Sequence, residues 1–420
     1  MKRPRSAALK NFGDTPLRLE RVLTEASRQL NANGLSLTSV ADIATTLGIS
    51  RAALYYYVED RENLVFLCYR RTYETIARHL GEAIRLGSDA ADAIGLFVDR
   101  MLDPTQPEIA TRAEISCLNA ERHQIIQGLH DAITTRLAHL LEVGARAGIL
   151  RNCDSEVAAA TILSMITWAP LSRHWTEMAK QFGHGRVLAT VKTTILAGLF
   201  KERGQLPDFK PFDLSPLIAR AGGVFDRRGL SDVKRDTLLA VASRLFTHKG
   251  IDSTSLEEIA AQAGVSKRTL YHHVGDKEAV VAACYRRALR TVLFIKDRML
   301  AYDGPPVQAL AAAYHAISIV LLSDDLTPIF PLTGYRTVSP QTKEDLYVGL
   351  TELGIGYFRV MSTAIADGTL VEMDIPVRQV IIFGAFSWLA HATIPNIEEQ
   401  HAHTAREISN LLCIGVGRAG

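Results

Sequence analysis

The sequence predicts an all-α fold made of two tandem units. Apolar residues recur at helical spacing along most of the 420 residues, and strand signals are few. Residues 18–71 recur as residues 234–287 at a constant offset of 216, and 21 of the 54 aligned positions are identical. Chance similarity between two helical segments would not hold one register, so we infer an internal duplication.

Length and composition limit the classes of protein that the chain can belong to. Hydrophobic residues make up 47% of the sequence and charged residues 22%, which is ordinary for a globular protein, and the length favours more than one core. No window reaches the roughly 18 apolar residues of a membrane span, and no apolar stretch follows the charged residues at the start, so we expect no signal peptide. We expect a cytoplasmic protein with no membrane partner. The five cysteines lack metal-ligand spacing, so no metal or cofactor is expected.

Basic charge is concentrated in the repeated segments. The net charge is only +2, but residues 1–71 carry +4 and residues 234–287 carry +3, which leaves −5 for the rest. Two basic modules in a mildly acidic body match the distribution expected of a protein that binds phosphates.

The first unit opens with two well-delimited helices. Apolar residues between Leu19 and Leu30 recur at helical spacing, and Gly34 ends this first helix. Ser39, with Asp42 three residues later, forms a capping box for a second helix that ends at Gly48.

A third helix follows almost at once. Ser50 caps it, and we expect it to cover residues 51–57. Two short helices joined by a tight glycine turn, the second with a basic start and exposed aromatic residues, are typical of a helix-turn-helix, which places its second helix in the major groove of DNA. We therefore predict a DNA-reading head at residues 39–58.

The second unit repeats this order. Ser255 caps its second helix, Gly264 lies at the turn, and Ser266 caps a helix over residues 267–273. A second head is therefore predicted at residues 255–274.

The recognition helices open with different residues. Arg51 in the first head, and Lys267 and Arg268 in the second, are the best candidates for contacts with guanine. The small side chains of Ala52 and Ala53 allow close approach to DNA.

These motifs together resemble the N-terminal domain of the tetracycline-repressor (TetR) family. In the first unit the resemblance lies in Gly34, Thr38, Ile43, Ala44, Leu47–Ser50, Leu54–Val58, Asp60, Arg61 and Glu62; in the second it lies in Phe246, Gly250, Thr254, Ile259, Ala260, Ala263–Ser266, Leu270–Val274 and Asp276–Glu278. The departure is the duplication, because family members usually carry one such unit per chain and pair as homodimers.

The resemblance implies a set of DNA contacts. Base contacts would be made by Arg51, Ala52, Tyr55, Lys267, Arg268 and Tyr271, and phosphate contacts by Ser39, Ala53, Tyr56, Tyr57, Arg61, Ser255, Thr269, His272, His273 and Lys277. Ala53 has no hydroxyl, so the first head lacks one phosphate donor. Leu54, Leu270, Val58 and Val274 are expected in the core instead.

The resemblance also implies a helical ligand-sensing and dimerisation domain after each head. The expected domains are a first head domain at 1–75, its helical domain at 76–202, a linker at 203–230, a second head domain at 231–291 and its helical domain at 292–420. Polar residues that would line a pocket for an unknown small-molecule effector are His123, His130, Arg173, His174, Tyr314, His315 and Tyr335.

Three further sequence patterns each allow two interpretations. The near-continuously apolar segments Ala158–Trp168 and Val380–Ala390 favour a buried helix or a subunit seam. His401 and His403 beside two glutamates favour a solvated helix face over a metal site. The basic tail Lys2, Arg3, Arg5 and Lys10 favours a disordered start over a minor-groove arm.

The preferred hypothesis is a ligand-released transcriptional repressor. Its two halves would pair within one chain as a pseudo-dimer, and the unlike heads would read an asymmetric or pseudo-palindromic operator in double-stranded DNA. The alternatives are a homodimer of chains, a ligand-binding or scaffold protein with inactive heads, and an enzyme. No catalytic constellation is visible, so an enzyme is not expected.

Overall fold

The computed structural model describes residues 15–35, 37–111, 115–174, 177–218, 227–329, 338–392 and 394–418. Within these ranges the regular structure is helical, and β-pairing is confined to two isolated bridges. The all-α prediction is confirmed, and so is the duplication of the head. None of the described helices is long and apolar enough to cross a lipid bilayer.

The two units repeat the same order of helices. The first unit contains α1 (Thr15–Asn33), α2 (Val40–Thr46), α3 (Arg51–Leu54), α4 (Arg61–Leu86), α5 (Ala90–Met101), α6 (Ala120–Arg146), α7 (Ser155–Ser172), α8 (Glu177–Lys180) and α9 (His184–Leu196). The second contains α10 (Arg227–Lys249), α11 (Leu256–Gln262), α12 (Lys267–His273), α13 (Lys277–Leu300), α14 (Pro306–Leu322), α15 (Pro340–Ala366), α16 (Ile375–Ile381), α17 (Gly384–Ser387) and α18 (Glu398–Ile414). The one helix α7 corresponds to α16, α17 and a 3₁₀ turn at Trp388–His391.

The predicted caps and stops set the ends of the head helices. Ser39 Oγ accepts a hydrogen bond from the Asp42 amide at 3.0 Å, and Ser50 Oγ accepts one from the Ala53 amide at 3.1 Å. Gly48 has a φ of 66°, a left-handed conformation that favours glycine, at the turn between the two helices.

Helix α3 is shorter than predicted. It ends at Leu54 rather than at residue 57, because the Tyr57 amide bonds to the Leu54 carbonyl in a tighter, three-residue turn. The corresponding helix α12 covers 267–273, as the sequence predicts.

A seam between the two units lies in the C-terminal half of each, formed by α7 and α9 against α16, α17 and α18. The two apolar tryptophan segments meet there: Trp168 donates its indole N–H to the Val380 carbonyl at 2.9 Å, and the hydroxyls of Ser164 and Ser387 lie 2.5 Å apart. The buried seam expected from these segments therefore forms within one chain.

The seam has approximate two-fold symmetry. Leu150 bridges to Gly417 and Phe200 bridges to Leu370, and the repeat relates these two antiparallel contacts to each other. The repeat also relates Asp374 to Asp154, but these two carboxylates have different partners. The Arg186 guanidinium binds both oxygens of Asp374, at 2.6 and 3.0 Å, whereas at the matching place His403 Nε2 lies 2.9 Å from Asp154.

Part of the predicted linker is packed on the second unit. Phe209 is buried, with its ring 5.5 Å from that of His315 and beneath the Arg406 guanidinium. The Lys210 amide donates to the Tyr302 hydroxyl at 2.9 Å. Residues 209 and 210 thus lie against α14, α18 and the turn between α13 and α14.

We predict that Gly384→Val weakens the seam. A Cβ atom at Gly384 would lie 2.6 Å from Trp168 Cβ and 2.9 Å from Met165 Cα, and overpacking of this kind costs about 1–3 kcal/mol. Denaturant unfolding should therefore show a lower midpoint. The control is Gly128→Ala in α6, where an added Cβ meets no atom within 4 Å, so the midpoint should stay or rise. Equal midpoints for the two variants would contradict this role for Gly384.

Candidate DNA interface and seam cavity

The first head, formed by α1 to α3, exposes most of the residues that the resemblance assigns to DNA. Arg51 and Ala52 are exposed, as are Tyr55 and Tyr56, the latter with 78% of its surface accessible. Leu54 is fully buried beneath them. One face of the recognition helix therefore points outward while the other holds the head together.

The second head, formed by α10 to α12, has the same arrangement. Lys267, Arg268, Tyr271 and His272 are exposed, and Leu270 is fully buried. The expected core residues Val58 and Val274 differ slightly, since Val58 is buried whereas Val274 is half-buried against the core of its head.

Residues at the end of each recognition helix are tied to the first helix of the head. Tyr57 is half-buried, and its hydroxyl accepts a hydrogen bond from Arg18 Nη1 at 3.5 Å. In the second head, His273 Nδ1 lies 3.3 Å from the Ser231 hydroxyl. These two side chains hold the recognition helix against the first helix of its head, and they also lie at the edge of its exposed face.

Several predicted phosphate donors already have partners inside the head. Ser255 Oγ caps α11 by accepting from the Glu258 amide at 3.0 Å, as Ser39 does in the first head, and the Thr269 and Ser266 hydroxyls lie 2.8 Å apart. Ala53, which replaces that threonine in the first head, is half-buried. Their partners orient these groups at the start of each helix.

The two predicted cations beyond the recognition helix hold the loop before the second helix. Arg61 donates to the Leu35 carbonyl, and Lys277 Nζ donates to the Asp252 carbonyl at 3.4 Å. Both loops are therefore fastened to the start of the long helix that leaves the head.

The heads differ most in the ion pair at the start of the second recognition helix. Lys267 Nζ binds Glu257 in the first turn of α11 and lies 5.8 Å from the centre of the Tyr271 ring. Their hydrogen bond raises the pKa of Lys267 and lowers that of Glu257. The first head has Ala41 at the position of Glu257, and in the described part of the chain no ion pair holds Arg51. Lys267, which is predicted to contact a base, is thus paired with an acid in the protein without DNA.

A buried arginine joins each head to the domain below it. In the first unit Arg71, 9% exposed, donates to Glu20 Oε1 at 2.6 Å and to Thr24 Oγ1 at 2.7 Å in α1. The same guanidinium donates to the Glu108 carbonyl in the loop after α5.

The second unit repeats this junction. Arg287, 4% exposed, donates from Nε to Asp236 Oδ1 in α10 at 3.1 Å, and its terminal nitrogens donate to three carbonyls of residues 325–327. Neither arginine is among the residues predicted from sequence, although the identical Arg-Arg pairs at 70–71 and 286–287 were a signal for them.

The loop after α5 also holds the first head through Asn31. The Asn31 amide donates to the Ile109 carbonyl and to Glu108 Oε1, both at 2.8 Å, and accepts from the Thr111 amide at 2.9 Å. His174 Nε2 lies 2.6 Å from the same Glu108 carboxylate. Burial opposes ionisation of Glu108, but the hydrogen bonds from His174 and Asn31 keep its pKa below the usual value.

A cavity of about 1260 Å³ opens at the seam. We call it the seam cavity; α4, residues 109–111, α6 and α7 line it from the first unit, and residues 387–404 line it from the second. The loop that binds Asn31 therefore forms part of its wall. On the opposite side, the His391 ring lies 5.8 Å from that of His248 in α10.

Only some of the predicted pocket residues line the seam cavity. His123 and His130 line the seam cavity, whereas His174 binds Glu108, Tyr314 is fully buried, and Arg173 is half-buried. Burial and the nearby Arg406 lower the pKa of His315 to about 4. Tyr335 and the basic tail lie outside the described residues.

The expected solvated face at His401 and His403 is wrong for His401. That side chain is only 7% exposed, although the residues around it in sequence are polar, while His403 lines the seam cavity beside Asp154. Within the described ranges, no group of three or more histidine, cysteine or acidic side chains is placed to hold a metal ion.

Comparisons with known proteins identify the family. The profile of bacterial regulatory proteins of the tetR family matches residues 22–68 and 238–284, and that of a tetracyclin repressor-like C-terminal domain matches residues 91–171. The Transposon Tn10 TetC protein of Escherichia coli is 38% identical over 178 residues, which are 41% of this chain and 82% of TetC. The chain belongs to the TetR family of transcriptional regulators and carries its DNA-binding domain twice.

More distant similarities cover one unit's length. The HTH-type transcriptional repressor KstR2 of Mycolicibacterium smegmatis is 27% identical over 139 residues, which are 30% of this chain and 68% of KstR2. Among solved structures, the TetR family regulator PfmR from Thermus thermophilus aligns with a TM-score of 0.38 and 23% identity, over 43% of this chain and 99% of PfmR.

We predict that Glu257→Ala strengthens DNA binding by the second head. The substitution frees Lys267 and removes an acid beside the recognition helix. Because exposed ion pairs contribute little, affinity should rise by no more than about fivefold at low salt. Fluorescence anisotropy with an operator fragment measures this. The control, Glu372→Ala in the exposed loop between α15 and α16, removes the same charge outside the core that α15 shares with the second head. An equal gain from both variants would mean that the effect is only one of net charge.

Proposed function

We propose that this regulator is a ligand-released repressor whose two unlike heads read an asymmetric or pseudo-palindromic operator. The observation that carries the proposal is the pair of fully formed heads, joined through a seam within one chain, whose recognition helices start with Arg51-Ala52-Ala53 and Lys267-Arg268-Thr269. A symmetric dimer presents identical helices to identical half-sites about 34–36 Å apart. Unlike helices require unlike half-sites.

The exposed faces of the recognition helices support the assignment of DNA contacts. We assign base contacts to Arg51, Ala52, Tyr55, Lys267, Arg268 and Tyr271, and contacts to the phosphate backbone to Ser39, Ala53, Tyr56, Tyr57, Arg61, Ser255, Thr269, His272, His273 and Lys277. Base contacts specify the sequence, and phosphate contacts fix the register of the head on the duplex.

The position of the seam cavity supports control by a small molecule. Its wall includes residues 109–111, which Asn31 ties to the first head, and His391, which contacts His248 in the second. Asn396 donates to Asp324 at 2.8 Å, and Asp324 binds Arg244 of α10, which gives the second head another link to the same loop. A ligand that binds more tightly when these loops are displaced would shift the population away from the DNA-binding arrangement.

The operator provides the first test. A sequence selected from a random pool should be asymmetric, and footprinting should show two unequal halves. Arg51→Ala and Arg268→Ala should each weaken binding by about tenfold or more and relax the sequence requirement in different halves. Arg70→Ala and Arg286→Ala, exposed on α4 and α13, remove the same charge outside the recognition helices and serve as controls. A perfect palindrome protected equally on both sides would contradict the proposal.

The mass of the free protein provides the second test. If the seam replaces the usual homodimer, light scattering should give a mass near 46.1 kDa, and one chain should occupy each operator. A mass of twice this value, with four heads on DNA, would instead support dimerisation between chains.

One observation favours a second candidate in which the heads contribute unequally. The Lys267–Glu257 pair must open before Lys267 reaches a base, so the second head would bind more weakly than the first. In that case Arg268→Ala would have much less effect on affinity than Arg51→Ala, and Glu257→Ala would reduce the difference.

A further inference from the structure

The seam cavity has an acidic rim. Four carboxylates line it: Asp131 in α6, Asp154 at the start of α7, Glu156 in its first turn, and Glu399 in the first turn of α18. Among the lining residues that the structure describes, none is a lysine or an arginine. A charged ligand would therefore meet an environment that attracts cations and repels anions.

Permanent cations do not neutralise this rim in the described part of the chain. His403 Nε2 lies 2.9 Å from Asp154 Oδ2, and His130 Nδ1 lies 3.2 Å from Asp131 Oδ1. No ion pair among the described residues involves Glu156 or Glu399, so two acids remain available to a ligand.

The inner wall of the cavity is apolar and aromatic. Ile76, Val157 and Leu163 line it beside Tyr73 and Trp388. The indole N–H of Trp388 is buried without an acceptor among the described residues, whereas its repeat counterpart Trp168 donates to Val380. Aromatic faces attract organic cations in addition to packing against apolar groups. The wall thus suits a hydrophobic body, and the rim suits a positive charge.

The second unit does not repeat this chemistry. Helices α6 and α15 both have 27 residues, and in their alignment Tyr347, Leu350 and Thr351 stand in place of Gln127, His130 and Asp131. The counterpart of Glu156 is Pro376, and the symmetry of the seam puts Arg186 where His403 lies. The acidic cavity is therefore specific to one side of the seam.

We propose that the seam cavity binds one organic cation per chain, an amine or quaternary cation with an apolar, aromatic body. The volume of about 1260 Å³ exceeds the roughly 300–1,000 Å³ of common ligand sites, so a compact ligand would share it with water. As an effector assignment the proposal rests on the proposed function, but the binding itself requires no DNA.

Two probes of the same shape and opposite charge test the proposal directly. Tetraphenylphosphonium and tetraphenylborate are titrated separately into the full chain without DNA, by calorimetry and tryptophan fluorescence. The cation should bind at one per chain and at least about tenfold more tightly than the anion. Tighter or equal binding of the anion, binding of neither probe, or two cations per chain would overturn the proposal.

Variants locate the charge that selects the cation. The double substitution Glu156→Gln and Glu399→Gln should weaken tetraphenylphosphonium binding by about tenfold or more, while Glu121→Gln, an acid of α6 outside the cavity, should leave it unchanged. Circular dichroism confirms that the double variant remains folded. Unchanged binding by the double variant would place the cation elsewhere and overturn the assignment.

A separate operator titration keeps this test distinct from that of the proposed function. Binding of the cation at the cavity with no loss of operator affinity would leave the site standing and would contradict ligand release. Preference for the anion would remove the cation site and leave DNA recognition as it was.

Discussion

A buried guanidinium fastens each head to the helical domain beneath it. Arg71 and Arg287 are both almost fully enclosed, and such a charge is tolerated only where carboxylates and carbonyls satisfy it, since an unpaired buried ion costs several kcal/mol. The acceptors come from two places, the first helix of the head (α1 or α10) and the loop after the second helix of the domain beneath it (the loop after α5 or after α14). Each head is therefore bonded directly to one loop of the domain beneath it, at residues 108–111 in the first unit and 325–327 in the second.

The seam shows how far the two halves of a symmetric arrangement have diverged. The two antiparallel backbone contacts occupy equivalent places in the two units. The ion pairs do not match, since Arg186 lies on one side and His403 on the other. Gly384 permits a close crossing with α7 where the first unit has Ser164, whose hydroxyl instead bonds to Ser387. Backbone pairing preserves the geometry, so side chains around the cavity can differ without loss of the packing.

Local features of the heads were predictable from sequence, because caps, turn glycines and helical spacing act over a few residues. Ser39, Gly48 and Ser50 set their helix ends as the sequence indicates. The seam cavity was not predictable, since its lining comes from segments far apart in the chain and depends on how the units pack. The burial of His401 was not predictable for the same reason, because its neighbours in sequence are polar and its exposure depends on how α18 packs in the fold. The Lys267–Glu257 pair was not predicted, although the repeat alignment places Glu257 where the first head has Ala41.

The seam within one chain also affects how the two halves of the protein can diverge in evolution. When two diverging subunits assemble from separate genes, each like pair competes with the unlike pair, and every change at an isologous interface meets itself across the axis. Here each half always finds the other at the high effective concentration of a tethered partner, which for short connections is in the millimolar range. Because both sides of this seam belong to one chain, the substitution that distinguishes Arg186 from His403 does not face its own copy across it. At this seam, each half can thus change independently of the other.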